Sequence, residues 1–541
     1  MLCVVAYVPE AFSDDEADIL RRYFTNLDGP VFALVNLPEV VKGALFARYS
    51  RSSKSLRRLF LDEFVGELDI EGDHTIDATI GLDRAEQLYE RVFFEYGDDS
   101  VAQLGGVHLA CEQASNLLTK ILEWGRLMSY LEQSTRYIAY DARLGGRYRY
   151  HRDAAIMASR HATRYVGDLD RVFDDYSTAL EQVTEHVRRT IERGPDDSDF
   201  IFRQATRAKA LDAVRGMLPA AALSNVGIYG SGQAFEALLL RMRSHPLPEA
   251  QVYSDLMLTE LRKVIPSFLR RVDIAERGGE WVEYLTDTRT DTAALVETLF
   301  GSTPVEAAGE VTLVDFDPEA EDKLLAAICY SHSSLPESQL LERVRRLGVD
   351  DRLALVRAYV GERRNRRHKP GRAFERVDYR FDVLSDYGAF RDLQRHRMLT
   401  IEWQPLTPFH GYVHPELVSD AGASEIFDSS MERSAQLFET LAEDLPEHAS
   451  YAVSMAYRIR YAMQFNAREA IHMLELRSSP QGHPAYRRIA LEMHRQIAET
   501  AGHHAVAEAM SYLTTEAPEL ERLEAERRAE SRRSEGQPSS M

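Results

Sequence analysis

Residues 44–53 read ALFARYSRSS, and residues 325–334 read LAAICYSHSS. Both place a small and apolar helical stretch ahead of a Tyr-Ser-x-Ser-Ser turn. Working outward, FFEYGDDSVAQ (93–103) precedes the apolar stretch NLLTKILEWGRLMSYLEQSTRY (116–137), as HKPGRAFE (368–375) precedes DYRFDVLSDYGAFRDLQRHRMLT (378–400). Further on, GQAFEALLLRMR (232–243) has a counterpart in NAREAIHMLELR (466–477). The pieces keep one order, which reads as a diverged tandem duplication of about 270 residues. The expected organisation is a first repeat over 1–275, a polar, Gly/Thr-rich junction over 276–310, and a second repeat over 311–515. A charged helix fraying into disorder is expected over 516–541.

The bulk composition agrees. With 541 residues, 44% of them hydrophobic, the chain exceeds one packed core, and two large domains or three to four small ones are expected. A formal net charge of −21 excludes a nucleic-acid groove as the main function. Arg greatly outnumbers Lys, and Arg is the side chain that forks onto phosphates and carboxylates. Three cysteines, Cys3, Cys111 and Cys329, make no disulfide framework, and no Cys/His spacing suggests zinc or another metal. The N-terminus lacks a basic flank and reads as a first strand, not a signal peptide. No apolar run reaches membrane-spanning length, so no membrane partner and a cytoplasmic location are expected.

Periodicity places helices at 116–131, 205–218, 232–243, 433–445 and 466–476, and strands at 3–8, 311–316 and 378–384. The fold class is therefore α+β, helix-rich, with a few strands in each half.

Residues 395–397 read Arg-His-Arg at the end of an apolar helical run. Two readings stand: a solvated cluster favoured by the helix dipole, or an anion site. Arg395-His396-Arg397-x-x-Thr400 resembles the first part of R-H-R-x-x-S-x-x-x-x-S-x-R, the signature of the flavin-dependent thymidylate synthases. Its second part is missing here, with Pro405 and Thr407 in place of Ser and Arg. The first half shows the reverse: Trp124 and Gly125 replace Arg and His, while Arg126, Ser129, Glu132, Ser134, Arg136 and Tyr137 fit. His368 and Glu375 match a family stretch upstream of the signature. Asn466-Ala467-Arg468 with Arg477 matches another, and Arg215, Leu218 and Pro219 match a third. The chain thus resembles a tandem of two diverged members of that family, degenerate in complementary ways.

The resemblance implies two helix-rich repeats, each with a small, mainly antiparallel sheet. It implies synthesis of dTMP from dUMP, with FAD as hydride carrier, and methylenetetrahydrofolate and NADPH as cosubstrates. Carried over residue by residue, dUMP binding falls to Arg126, Glu132, Ser134, Arg136, Arg215, Arg395 and Arg477. Of these, Ser134, Arg136 and Arg477 act at the reacting ring. FAD contacts fall to Glu375, Arg395, His396, Arg397, Asn466, Arg468 and His472. Family enzymes are homotetramers with sites between subunits, so two tandem chains are expected to form a homodimer resembling a tetramer.

Plainer readings stand beside these. Ser134 is also a helix-ending hydroxyl, and His472 a satisfied core histidine. Glu375 is also a partner for Arg372, and His503 and His504 are surface groups. Two other functions remain open: a flavoprotein acting on a different pyrimidine nucleotide, and a pseudoenzyme that keeps a nucleotide-binding module.

Overall fold

The computed structural model describes residues 6–65, 103, 105–195 and 197–516, with 523, 527 and 531. Most of FFEYGDDSVAQ and residues 3–5 of the expected first strand lie outside the described residues. Residues 6–8 are in no strand.

Among the described residues, eight strands form two sheets: β1 (Val31–Leu34), β2 (Gly106–Ser115), β3 (Met128–Glu132), β4 (Leu223–Ser231), β5 (Val311–Phe316), β6 (Asp378–Asp386), β7 (Leu399–Trp403) and β8 (Arg458–Asn466). The order is β1-β2-β4-β3 in one sheet and β5-β6-β8-β7 in the other, and every pairing is antiparallel. Two sheets of one topology in sequence order are the structural form of the duplication. The two central strands of the second sheet show why they pair. Tyr379, Phe381 and Val383 alternate with more exposed positions on β6, as Ile459, Tyr461, Met463 and Phe465 do on β8.

By compactness the chain forms two units. One comprises residues 1–177, 218–305 and 429–454; the other comprises 178–217, 306–428 and 455–541. Each unit holds one sheet and draws on both halves of the sequence. In the first, Gly227 lies where an added Cβ would stand 2.7 Å from the Phe46 ring, so the Glu39–Tyr49 helix packs close onto the sheet only because that position is glycine.

The sheet ladders give the register between the repeats. Ser231 pairs with Gly106 and caps the Gly232–Arg243 helix; Asn466 pairs with Asp378 and caps the Ala467–Arg477 helix. Ser231 therefore corresponds to Asn466, one residue away from the sequence alignment, which set Gly232 opposite Asn466. Burial confirms the correction: Ala234, Phe235, Leu238, Leu239 and Leu240 are buried, as are Glu469, Ala470, Met473, Leu474 and Glu475. Met128 pairs with Gly230 and Leu399 with Phe465, so Trp124 and Gly125 correspond to Arg395 and His396 as expected.

Several expected elements change. Residues 116–131 are not one helix: Asn116–Leu122 is helical, the chain turns, and β3 begins at Met128. The second repeat repeats this break, with a helix over Tyr387–Leu393 and then β7. The expected junction contains a 21-residue helix, Glu280–Phe300, with no buried residue. His503 is buried, not a surface group, with Nδ1 2.8 Å from the Tyr379 hydroxyl. Among the described residues no helix is long and apolar enough to cross a membrane.

Candidate functional site

Arg395, His396 and Arg397 occupy the turn between the Tyr387–Leu393 helix and β7. Asp386 starts that helix by accepting the Ala389 N–H at 2.9 Å. The turn then sends alternate side chains in opposite directions: His396 is 5% exposed, whereas Arg397 is exposed. The helix-end reading accounts for Arg397 but not for a buried histidine.

His396 lies between two partners from the Ala467–Arg477 helix. The Arg477 Nε–H donates to His396 Nε2 at 2.9 Å, and His396 Nδ1 is 2.9 Å from Glu469 Oε1. A nitrogen that accepts from guanidinium carries no proton, so His396 is the Nδ1–H tautomer and donates to the carboxylate. His472 Nδ1 is 3.2 Å and 3.3 Å from the two Glu469 oxygens. Burial pulls His396 down to about 4, outweighing Glu469. Burial would raise the Glu469 carboxyl, yet the two imidazole hydrogen bonds bring it down to about 2. At pH 7 His396 is thus a neutral imidazole facing the Glu469 carboxylate.

These side-chain types could also hold a metal, since His396, Glu469 and His472 bring ligand atoms within 4.8 Å of one another. The hydrogen bonds argue against it. Both Nδ1 atoms turn N–H groups, not lone pairs, toward the carboxylate.

Arg477 leads on to the second part of the site. Its Nη1 is 4.0 Å from Asp392 Oδ1, and Arg395 Nη2 is 3.9 Å from the same oxygen. Arg215, from the first half of the sequence, donates from Nη1 to Asp392 Oδ2 at 3.2 Å. Three guanidinium groups therefore surround one carboxylate, and Arg215 Nη2 is buried with no hydrogen-bond partner among the described residues. Arg215 also lines a cavity of about 520 Å³ with Lys209, Arg488, Asp212 and Asp386. Gly388 makes that placement feasible: an added Cβ would stand 2.9 Å from Asp386 Oδ1 and 3.2 Å from Arg215 Nη2. Burial holds the Asp386 carboxyl above the usual range despite Arg215.

Of the other expected residues, Arg468 donates to the Pro370 carbonyl at 2.9 Å and to Glu375 Oε1 at 3.3 Å. Glu375 also accepts from Arg372 at 3.0 Å, so it is both the expected partner of Arg372 and a partner of Arg468. Asn466 is committed through Oδ1 to the Glu469 N–H at 2.9 Å. Arg126, Glu132, Ser134 and Arg136 lie in the other unit. There Arg126 is exposed and Ser134 Oγ accepts the Arg136 backbone N–H at 3.3 Å. Glu132 is buried, its carboxylate 3.1 Å from the buried Lys120 Nζ. Trp124, where the second repeat has Arg395, lies under the Arg241 guanidinium at 3.3 Å.

The sequence profile described as thymidylate synthase complementing protein matches residues 44–267 and 312–502, once in each half. The chain belongs to this family. As a tandem member of the thymidylate synthase complementing proteins, it is also similar to chains named UPF0159 protein. One from Chlamydia muridarum is 37% identical, over 96% of this chain and 98% of that one. One from Chlamydia pneumoniae is 38% identical over 90% and 93%. One from Thermoplasma acidophilum is 32% identical over 90% and 97%. Among solved structures, a flavin-dependent thymidylate synthase from Helicobacter pylori, complexed with FAD and dUMP, is 17% identical. It covers 38% of this chain and 100% of its own, with a TM-score of 0.29, too slight a likeness to carry an argument.

Asp392 and Glu469 are missing from the expected residues. Each had a local signal. Asp392 precedes Arg395 by one helical turn, and Asn466, Glu469 and His472 recur at three-residue spacing along one helix face.

Proposed function

We propose that this family member is an FAD-dependent thymidylate synthase-like enzyme. It would make dTMP from dUMP, taking the one-carbon unit from methylenetetrahydrofolate, with NADPH as reductant. The observation that carries the reading is the convergence of Arg215, Arg395 and Arg477 on Asp392. Three cations and one anion leave a net charge of +2 in a largely buried place, which suits a dianionic phosphate and an electron-rich pyrimidine carbonyl. Arg477, oriented through Nε by His396 and hydrogen-bonded to Tyr486, would present its guanidinium to a carbonyl oxygen and drain electron density from the ring. The unpartnered Arg215 Nη2 is a ready donor for a phosphate oxygen.

The two described cysteines support the same choice. Burial pushes the Cys111 thiol far up and the Cys329 thiol up as well, so neither is an activated thiolate. A route through a flavin needs no such nucleophile.

In this reading Arg126, Glu132, Ser134 and Arg136 of the first repeat also serve dUMP, and Ser134, Arg136 and Arg477 are the candidates to act at the reacting ring. Glu375, Arg395, His396, Arg397, Asn466, Arg468 and His472 would hold FAD. The donor set fits: His472, donating Nδ1–H to Glu469, keeps an Nε2 lone pair for a flavin N–H, and the arginines suit the pyrophosphate. The chemistry FAD supplies there is hydride delivery. Two chains would assemble as a pseudo-tetramer.

The test is the visible spectrum of the purified full-length protein, followed by dUMP titration. A flavin spectrum perturbed by dUMP supports the reading. A flavin spectrum indifferent to dUMP but altered by another pyrimidine nucleotide redirects it to that substrate. Protein that takes up no FAD contradicts it and leaves a nucleotide-binding module.

A further inference from the structure

The first repeat shows what this site looks like without its polar groups. In the register fixed by the two sheets, His396, Glu469, His472 and Arg477 correspond to Gly125, Ala234, Ala237 and Met242. The fold is therefore built equally well with small and apolar residues at all four positions. A buried carboxylate with two imidazoles and a guanidinium costs desolvation that this alternative avoids. The second repeat keeps all four, and they form one chain of hydrogen bonds rather than separate pairs.

We propose that Glu469 is a positioning residue that acts on the nucleotide through His396 and Arg477, an assignment that rests on the nucleotide reading of Arg477 above. The logic is that of the tautomer. Glu469 accepts the Nδ1–H of His396 at 2.9 Å, which leaves Nε2 unprotonated toward the Arg477 Nε–H, also at 2.9 Å. Without an acceptor at position 469, nothing holds the proton on Nδ1. An imidazole with its proton on Nε2 would set N–H against N–H and drive the guanidinium out of its plane. Glu469 itself is held by the Asn466 cap through its own backbone N–H at 2.9 Å, so the acceptor is fixed by the start of the helix whose end carries Arg477. His472 donates to the same carboxylate, so it completes the acceptor's coordination without competing for His396.

The experiment is dUMP binding to full-length, FAD-loaded protein by calorimetry, for wild type, Glu469→Ala and Glu469→Gln. Ala234 at the corresponding position of the first repeat indicates that the alanine variant folds, and urea midpoints check this. Glu469→Ala is expected to weaken dUMP binding about tenfold or more, whereas Glu469→Gln, which keeps an acceptor, stays within about threefold. In an Arg477→Lys background, which has no Nε to orient, Glu469→Ala is expected to add little, because the two act in series. A purely structural role would lower stability and add its effect in both backgrounds. Wild type that binds dUMP while Glu469→Ala binds equally well overturns the positioning role alone. Wild type that does not bind dUMP overturns the nucleotide reading, and this inference with it.

Discussion

Arg215 donates to Asp392 at 3.2 Å across 177 residues of sequence, joining a side chain of the first half to the acid beside Arg-His-Arg of the second. Of that tripeptide, His396 is buried and hydrogen-bonded to Glu469 and Arg477, and the half-buried Arg395 lies 3.9 Å from Asp392. Arg215→Met is therefore expected to weaken dUMP binding by one to two orders of magnitude, since it removes a buried donor with a free Nη2. Arg215→Lys should recover only part of this, because a single ammonium cannot serve Asp392 and a ligand with one fork. Isothermal titration of the two variants checks both statements.

The pH dependence of stability has a defined sign. His396 falls from 6.5 to about 4 on folding, so between those values the unfolded chain binds more protons and stability declines as pH falls. At roughly 1.4 kcal/mol per pKa unit the group accounts for up to about 3 kcal/mol. Glu469, lowered from 4.5 to about 2, works below that window: its contribution is intact above 4.5 and lost as pH falls toward 2. His396→Gln should flatten the loss between pH 6.5 and 4.5, as read from urea midpoints at both pH values.

In the other unit, Lys120 lies between Glu123 and Glu132, all three nearly fully buried. Lys120→Met removes the cation and leaves two buried carboxylates close together. The expected cost is roughly 3–5 kcal/mol, measured as a lowered urea midpoint. If Glu132 also serves the nucleotide, the same variant changes dUMP binding at protein concentrations where it remains folded.

Much of this was legible in the sequence, in a particular way. The repeat was visible because Tyr-Ser-x-Ser-Ser and the apolar helix before it survive in both halves. Strands β5 and β6 are legible because VTLVDF and DYRFDVL are rich in β-branched and aromatic residues, whereas β1, β2, β3, β4, β7 and β8 are not. The residues of a strand such as LSNVGIYGS gain strand character from pairing on both sides, a tertiary effect that local pattern does not carry. The stretch 116–131 reads as one helix because β3 continues its apolar spacing; a turn at Glu123–Leu127 divides it. The one-residue slip at 232 arose from matching letters, Arg243 to Arg477, where the ladder and the caps set Met242 there. Arg215, Arg395 and Arg477 were each named from sequence, but Asp392, the acid that joins them, was not, because its meaning depends on Arg215 arriving from elsewhere.

These arginines are expected to serve methylation of dUMP. The most direct test is a single turnover under anaerobic conditions, with the protein's flavin chemically reduced and dUMP and methylenetetrahydrofolate supplied, products being read by mass spectrometry. Wild type is expected to form dTMP, and Arg215→Met far less at the same subsaturating dUMP. Flavin-loaded protein that binds dUMP and folate yet forms no dTMP would contradict this role.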